Sequence, residues 1–232
     1  MSAYAADLAR IHHEAYGFVA RAAAPVVLDA LAAAHPSGLI VDLGCGSGIT
    51  AAALVDAGYD VLGVDASPDM IALARRTAPG ARFAVGSAHA VRLPACVAVT
   101  AIGEVVGYAE DPAAPAPSLA RLARRVYDAL APGGVFLADV AGPGRLGPDG
   151  RREAVSEGGD WLLAVRAAED PAARTLRRDI AVFVRDGDRW RRSDETHLLH
   201  LHDPDEFAQA LASAGFQVRR LDAYGDLRLG PG

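Results

Sequence analysis

The sequence predicts an α/β fold: a doubly wound, mainly parallel seven-stranded sheet with helices on both faces, an antiparallel insertion after the fifth strand and a helical cover at the N-terminus. Three observations carry this. Between residues 38 and 140, short apolar runs alternate with helical patterns across short links, as in βαβ units covered on both faces. The first run, Leu39-Ile40-Val41-Asp42-Leu43, breaks into Gly44-Cys45-Gly46-Ser47-Gly48, which suits a tight strand-to-helix turn. After Trp161 the runs lengthen and carry a hairpin signal, Asp186-Gly187.

Each element follows from local chemistry. Leu8, Ile11, Ala15, Phe18 and Val19 share one helical face, and Val27, Leu28 and Leu31 another, so the cover is two helices broken near Gly17 or Pro25. His35-Pro36-Ser37-Gly38 is a turn. The first strand, Leu39 to Leu43, leads through the glycines into a helix from Ile49 to Ala57, stopped by Gly58. A second strand, Val61 to Val64, ends at Asp65; Ser67 caps the next helix, with Pro68 at its first position. Phe83 to Val85 and Cys96 to Ile102 are the third and fourth strands, and the three prolines of Asp111 to Pro117 demand a loop. Ser118 caps a helix to Leu130, and Pro132-Gly133-Gly134 turns into the fifth strand, Val135 to Val140.

Ala141 to Asp160, rich in Gly, Pro and charge, reads as a mobile loop. Trp161–Ala168, Thr175–Arg185 and Arg189–His202 read as antiparallel strands. A helix from Asp205 to Ala214 stops at Gly215, and Phe216–Leu221 with Asp226–Leu229 closes the sheet as a hairpin. The expected organisation is one domain: cover 1–37, core 38–140, loop and insertion 141–202, C-terminal helix and hairpin 203–232.

Composition narrows the function. With 232 residues, 51% of them hydrophobic, the chain can bury a sizeable core and is neither fibrous nor wholly disordered. It has no run of 18 apolar residues to span a membrane and no basic-then-apolar leader. All 23 basic residues are arginine, which excludes a Walker lysine and Schiff-base chemistry. The net charge of −6 argues against nucleic acid or an anionic membrane as partner. Two cysteines, Cys45 and Cys96, make no disulfide framework, and a cytoplasmic location is expected.

The glycine spacing discriminates between ligands. A dinucleotide fingerprint places its third glycine or alanine where this chain has Ile49. Asp42, just before the loop, repels a pyrophosphate but suits an ammonium and a sulfonium. Asp65, ending the second strand, can take both hydroxyls of a ribose. With Val41-Asp42-Leu43-Gly44-Cys45-Gly46-Ser47-Gly48, Gly63-Val64-Asp65-Ala66-Ser67-Pro68 and Leu130-Ala131-Pro132-Gly133-Gly134 in this order, the stretch from Gly38 to Val140 resembles the class I S-adenosylmethionine-dependent methyltransferases.

The resemblance implies S-adenosylmethionine as cofactor and S-adenosylhomocysteine as product. Asp42 and the Gly44, Cys45, Gly46 and Gly48 backbone would hold the methionine moiety, Asp65 the ribose, and Ala66 and Met70 the adenine. Gly86-Ser87-Ala88 would lie near the adenine amine, with Ser87 where the family usually has Asp. Ile102 and Gly103, at the fourth strand's end, would face the transferable methyl. The Asn-Pro-Pro-Tyr motif of methyltransferases that act on macromolecular nitrogens is absent there, which favours a small-molecule substrate.

Glu104 stands at that strand's exit as a candidate proton acceptor or holder of a cationic substrate; the plainer reading is a helix-start carboxylate. His12 and His13 point about 100° apart on a helix, so only one can face the site. His13 is the second catalytic candidate, with His12, Tyr16 and Tyr108 as substrate contacts; the plainer reading of the histidines is a surface pair. Glu195 and His197 could line the substrate pocket from the insertion or simply form a polar sheet face. His197, His200 and His202 lack nearby cysteines, and no metal is expected. The reading is a small-molecule methyltransferase, with a homodimer allowed. Its alternatives are a cofactor-binding regulator or inactive homologue and, further off, a nicotinamide-dependent dehydrogenase.

Overall fold

A computed structural model describes residues 3–32, 34–35, 37–109 and 118–228. The expected loop from Asp111 to Pro117 lies outside the described residues, as do Pro36 of the expected turn and Leu229 of the expected hairpin.

The chain opens with α1 (Ala6–Ile11), a single π-helical turn (His12–Tyr16) and α2 (Phe18–Leu31). The break falls at Gly17, where an added Cβ would come 2.4 Å from Ile49; Pro25 is accommodated inside α2. Then follow β1 (Leu39–Leu43), α3 (Ile49–Asp56), β2 (Asp60–Asp65), α4 (Pro68–Thr77), β3 (Arg82–Val85), β4 (Cys96–Ala101), α5 (Leu119–Ala129) and β5 (Leu130–Ala138). The expected caps form: the Ser67 hydroxyl accepts from Met70 N at 3.1 Å, and that of Ser118 from Arg121 N at 3.3 Å.

These strands make one parallel sheet in the order β3-β2-β1-β4-β5. β1 is central, and its apolar residues feed cores on both faces. Val41 and Leu43 pack with Leu122 and Val126 of α5, while Ile40 packs with Val27, Leu31 and Leu54 of α2 and α3. Burying each such side chain contributes roughly 1.5–3 kcal/mol.

Beyond β5 lie β6 (Arg151–Glu157), β7 (Trp161–Asp170), β8 (Thr175–Asp186) and β9 (Arg189–His200), a separate antiparallel sheet in that order. Along β8, Ile180, Val182 and Val184 alternate inward and pack with Leu8 and Ile11 of α1 and with Trp161. This sheet therefore sits against the N-terminal cover. The chain ends in α6 (Pro204–Ala214), capped by Asp203, and a hairpin of β10 (Ala223–Tyr224) and β11 (Leu227–Arg228).

Three expectations are corrected. The parallel sheet has five strands, not seven: Phe216–Leu221 forms no strand, and β10 and β11 pair only with each other among the described residues. The stretch expected as a loop to Asp160 contains β6, a mostly exposed outer strand of the insertion. β5 begins at Leu130, because Leu130 already pairs with Cys96 ahead of a register shift that absorbs the Pro132-Gly133-Gly134 turn.

Candidate active site

Strand order reverses between β1, which leads back to β2, and β4 on its other side, so a crevice opens at their carboxyl ends. Asp42 stands there with 3% exposure. Its Oδ1 accepts from Thr100 Oγ1 of β4 at 2.6 Å, and its Oδ2 is buried without a partner. Burial pushes this carboxyl up to about 7, against the pull of the Thr100 bond and with a further rise from Asp65. Such an oxygen wants a cationic donor.

The glycine loop is built around that carboxylate. Gly48 has φ +80°, and a Cβ there would lie 3.0 Å from Ala74 Cα, so this glycine lets α3 and α4 approach. Gly46 has φ +52° and faces open space, with nothing within 4 Å of an added Cβ. Asp65 accepts Gly46 N at 2.9 Å on Oδ2 and Ser67 N at 2.8 Å on Oδ1, which fixes its carboxylate at the crevice. Asp42, Gly44, Cys45, Gly46, Asp65, Ala66, Met70, Gly86, Ala88, Ile102 and Gly103 all line one cavity of about 1530 Å³. Ser87 turns its hydroxyl to His89 N at 3.1 Å. An unpartnered buried carboxylate oxygen, glycines open to the crevice and a carboxylate at the end of the adjacent strand suit the ammonium, chain and ribose of S-adenosylmethionine.

The same cavity continues past Gly103, where an added Cβ again meets nothing within 4 Å, into a chamber under the antiparallel sheet. Glu104 holds the turn there in the left-handed region, φ 65°. Asp139, one residue past β5, fixes that turn by accepting Gly103 N at 3.0 Å and also Glu104 N; Tyr224 Oη donates to it at 3.1 Å. Burial raises the Asp139 carboxyl, and these bonds oppose the rise. Glu104 is 14% exposed and ion-pairs with Arg178 of β8 at 2.8 Å and with Arg145 of the loop after β5. Burial alone would lower the Arg178 guanidinium's pKa, but Tyr108 and Glu104 outweigh it and keep the group charged.

The facing wall is aromatic. The Tyr4 and Tyr108 hydroxyls are 2.8 Å apart, His12 stands edge-on to Tyr4 with centroids 5.0 Å apart, and His197 lies 4.7 Å from Tyr4. Burial, followed by the fields of His197, His13 and Arg178, pushes the His12 imidazole down to about 4, so it is neutral at pH 7.

The two histidines divide as the helical turn requires. His12 lines the cavity, while His13 Nδ1 lies 2.8 Å from Ser47 Oγ of the glycine loop. Tyr16 lines the cavity and donates to Ser156 Oγ at 2.9 Å. Tyr108 and His197 line it too, whereas the Glu195 carboxylate is engaged by the backbone N–H groups of Tyr4 and Ala5. Sequence reasoning missed Tyr4, Asp139, Arg145 and Arg178. For Arg178 a signal existed: at period two it shares the face of Leu176, Ile180 and Val182, and an arginine on an apolar face needs a buried partner. Asp139 follows a core strand as Asp65 ends one. Tyr4 and Arg145 carry no local pattern.

Comparison with known proteins matches residues 40–134 to a family described as a methyltransferase domain. YqeM of Bacillus subtilis, a methyltransferase by name, is 24% identical over 194 residues, 80% of this chain and 76% of its own. Among solved structures, an S-adenosylmethionine-dependent methyltransferase from Clostridium acetobutylicum superposes with a TM-score of 0.79 at 18% identity, covering 95% of this chain and 92% of that one. CalS10 from Micromonospora echinaspora, an amino pentose methyltransferase solved with the cofactor bound, superposes with a TM-score of 0.67 at 25% identity over 88% of each chain.

Proposed function

We propose that the chain is a class I S-adenosylmethionine-dependent methyltransferase, a reading supported by the methyltransferase-domain match over residues 40–134 and by its relatives, and that it methylates a small polar molecule held in the chamber between the Gly103-Glu104 turn and the antiparallel sheet. The observation that carries the proposal is the cavity's extent. Its lining runs from Asp42 past Gly103 to Arg178 and on to the C-terminal helix and tail, and the total of about 1530 Å³, shared among these parts, exceeds the roughly 300–1,000 Å³ of a pocket for one ligand. Cofactor and acceptor can therefore lie end to end. A protein that only sensed the cofactor would have no use for the space beyond Gly103. CalS10, which acts on an amino pentose, supports an acceptor of this size.

The chemistry drawn from the cofactor is the displacement of a methyl carbon from a sulfonium: the acceptor's lone pair forms the new bond to carbon, the carbon–sulfur bond breaks, and the sulfur keeps that electron pair. The chain's residues orient, exclude water and move a proton. Asp42 takes the ammonium, Asp65 the ribose hydroxyls, and the open faces of Gly46 and Gly103 admit the chain between them. His13 steadies the loop through Ser47. Glu104 anchors Arg178 and Arg145 across the chamber mouth, so its charge organises the site. His12, neutral and facing the chamber, accepts the proton at a ring nitrogen. A weak base suffices, because a hydroxyl or amine becomes more acidic as it gains the methyl.

The test supplies methyl-labelled S-adenosylmethionine with panels of amino sugars, hydroxy acids and phenols, and separately with bulk transfer RNA and protein. Label should enter a small molecule, and His12→Gln should lower kcat about 10²-fold with cofactor affinity within twofold. Label confined to macromolecules would overturn the proposal.

A further inference from the structure

The Glu195 carboxylate is only 12% exposed, and it binds the chain's own backbone. Its Oε2 accepts Tyr4 N at 2.7 Å, its Oε1 accepts Ala5 N at 2.9 Å, and Oε2 also lies 3.0 Å from His197 Nε2. Two successive N–H groups on two carboxylate oxygens form a bidentate grip that fixes direction as well as position. The gripped residue is held in an unfavourable conformation: Tyr4 has φ 61°, which a tyrosine does not adopt without restraint. Ala5, at the N-cap of α1, offers no side-chain cap of its own.

The grip has consequences at both ends of the cavity. On the cofactor side, the Tyr4 carbonyl accepts from Ser67 Oγ at 2.7 Å, and Ser67 is the residue that caps α4 through Met70 N. On the acceptor side, the Tyr4 hydroxyl meets that of Tyr108 at 2.8 Å. One residue of β9 thus ties the segment before α1 across the crevice.

We propose that Glu195 is a positioning residue for methyl transfer: through the Tyr4 and Ala5 amides it sets the Tyr4 phenol in the acceptor chamber and the Tyr4 carbonyl at the start of α4, closing the cofactor crevice. What this closure serves rests on the methyltransferase reading; the grip itself is a property of the folded chain, and the two are tested separately.

Amide hydrogen exchange of the full-length protein reads the grip without any ligand. In Glu195→Ala, exchange of the peptide spanning Tyr4 to Ala9 should quicken about tenfold while the β1–α3 peptides are unchanged. Glu195→Gln, which keeps one acceptor oxygen and fills the same space, should fall between Ala and wild type. S-adenosylhomocysteine should dissociate about tenfold faster from Glu195→Ala. With a turned-over acceptor, Glu195→Ala should lower kcat, but in a Tyr4→Phe background it should add less than about twofold, since both changes act on one phenol. Unchanged exchange at Tyr4–Ala9, or kcat losses that simply multiply, would overturn the assignment. Should wild-type protein fail to bind S-adenosylhomocysteine, the methyltransferase reading falls while the exchange result still decides the grip.

Discussion

Replacing Asp42 by Asn is expected to stabilise the ligand-free protein at pH 8 and to weaken its hold on the cofactor. The side chain is 3% exposed, and only one of its oxygens is satisfied, by Thr100. Burial lifts the carboxyl from its ordinary 3.8 to about 7. Because the folded value is the higher one, the native chain keeps a proton that the unfolded chain gives up between those two pH values. Stability is therefore lost as pH rises through this window, by about 4 kcal/mol once pH passes 7. Asn cannot ionise and escapes that loss, but it leaves an unpartnered N–H where Oδ2 stood, at about 1–3 kcal/mol. The variant should thus gain about 1–3 kcal/mol at pH 8 and lose about 1–3 kcal/mol near pH 4, so that its Tm lies roughly 2–10 °C above wild type at the higher pH and below it at the lower. Binding of S-adenosylhomocysteine, which presents an ammonium, should run the other way. In wild type its affinity should climb with pH up to about 7, with a proton released on binding below that. Asp42→Asn should lose that slope and about tenfold or more in affinity. Thermal unfolding at pH 4 and 8, with calorimetric titration in two buffers of different ionisation enthalpy, reads all of this. A variant less stable than wild type at pH 8, or one with the wild-type binding profile, would refute the reasoning.

Two further outcomes follow from the geometry. Glu104→Gln removes the charge that Arg178 and Arg145 share; kcat should fall about tenfold while S-adenosylhomocysteine affinity stays within twofold, and the opposite split would move Glu104 to the cofactor side. Gly48→Ala forces a methyl group to 3.0 Å from Ala74 Cα at φ +80°, so the protein should lose about 1–3 kcal/mol of stability, seen as a fall of several degrees in Tm; an unchanged melting curve would mean that α3 and α4 can part without cost.

The core was readable because its signals are local. A five-residue apolar run cut by glycines, and Ser67 and Ser118 each one residue before a helix, depend only on neighbours in sequence. The cofactor residues followed from the same stretch, since the ends of β1 and β2 carry Asp42 and Asp65. The rest depends on distant partners. β6 was missed because an outer strand exposed along most of its length has no apolar face to show, and Arg151-Arg152-Glu153 reads like any solvated loop. Phe216–Leu221 looks like a strand, but no neighbouring strand pairs with it among the described residues. The acceptor chamber joins Tyr4, Tyr108, Asp139 and Arg178 from four separate elements. The sequence offered His12, Tyr16, Glu104, Tyr108 and His197 as separate candidates; the alternation around Arg178 is a further hint, and it needs the identity of its partner, Glu104, to become a site.

The turn after β1 closes on itself. Gly44 N and Cys45 N both donate to Val64 O, at 2.7 and 3.1 Å, Gly46 N to Asp65, and Gly48 N to Cys45 O at 3.0 Å. These amides are committed to neighbouring strands and to the turn itself, so the chain order that an incoming nucleoside would otherwise have to impose is already present when the domain folds. Little entropy is then left to subtract from affinity at this end of the crevice, and recognition there amounts to filling a rigid mould.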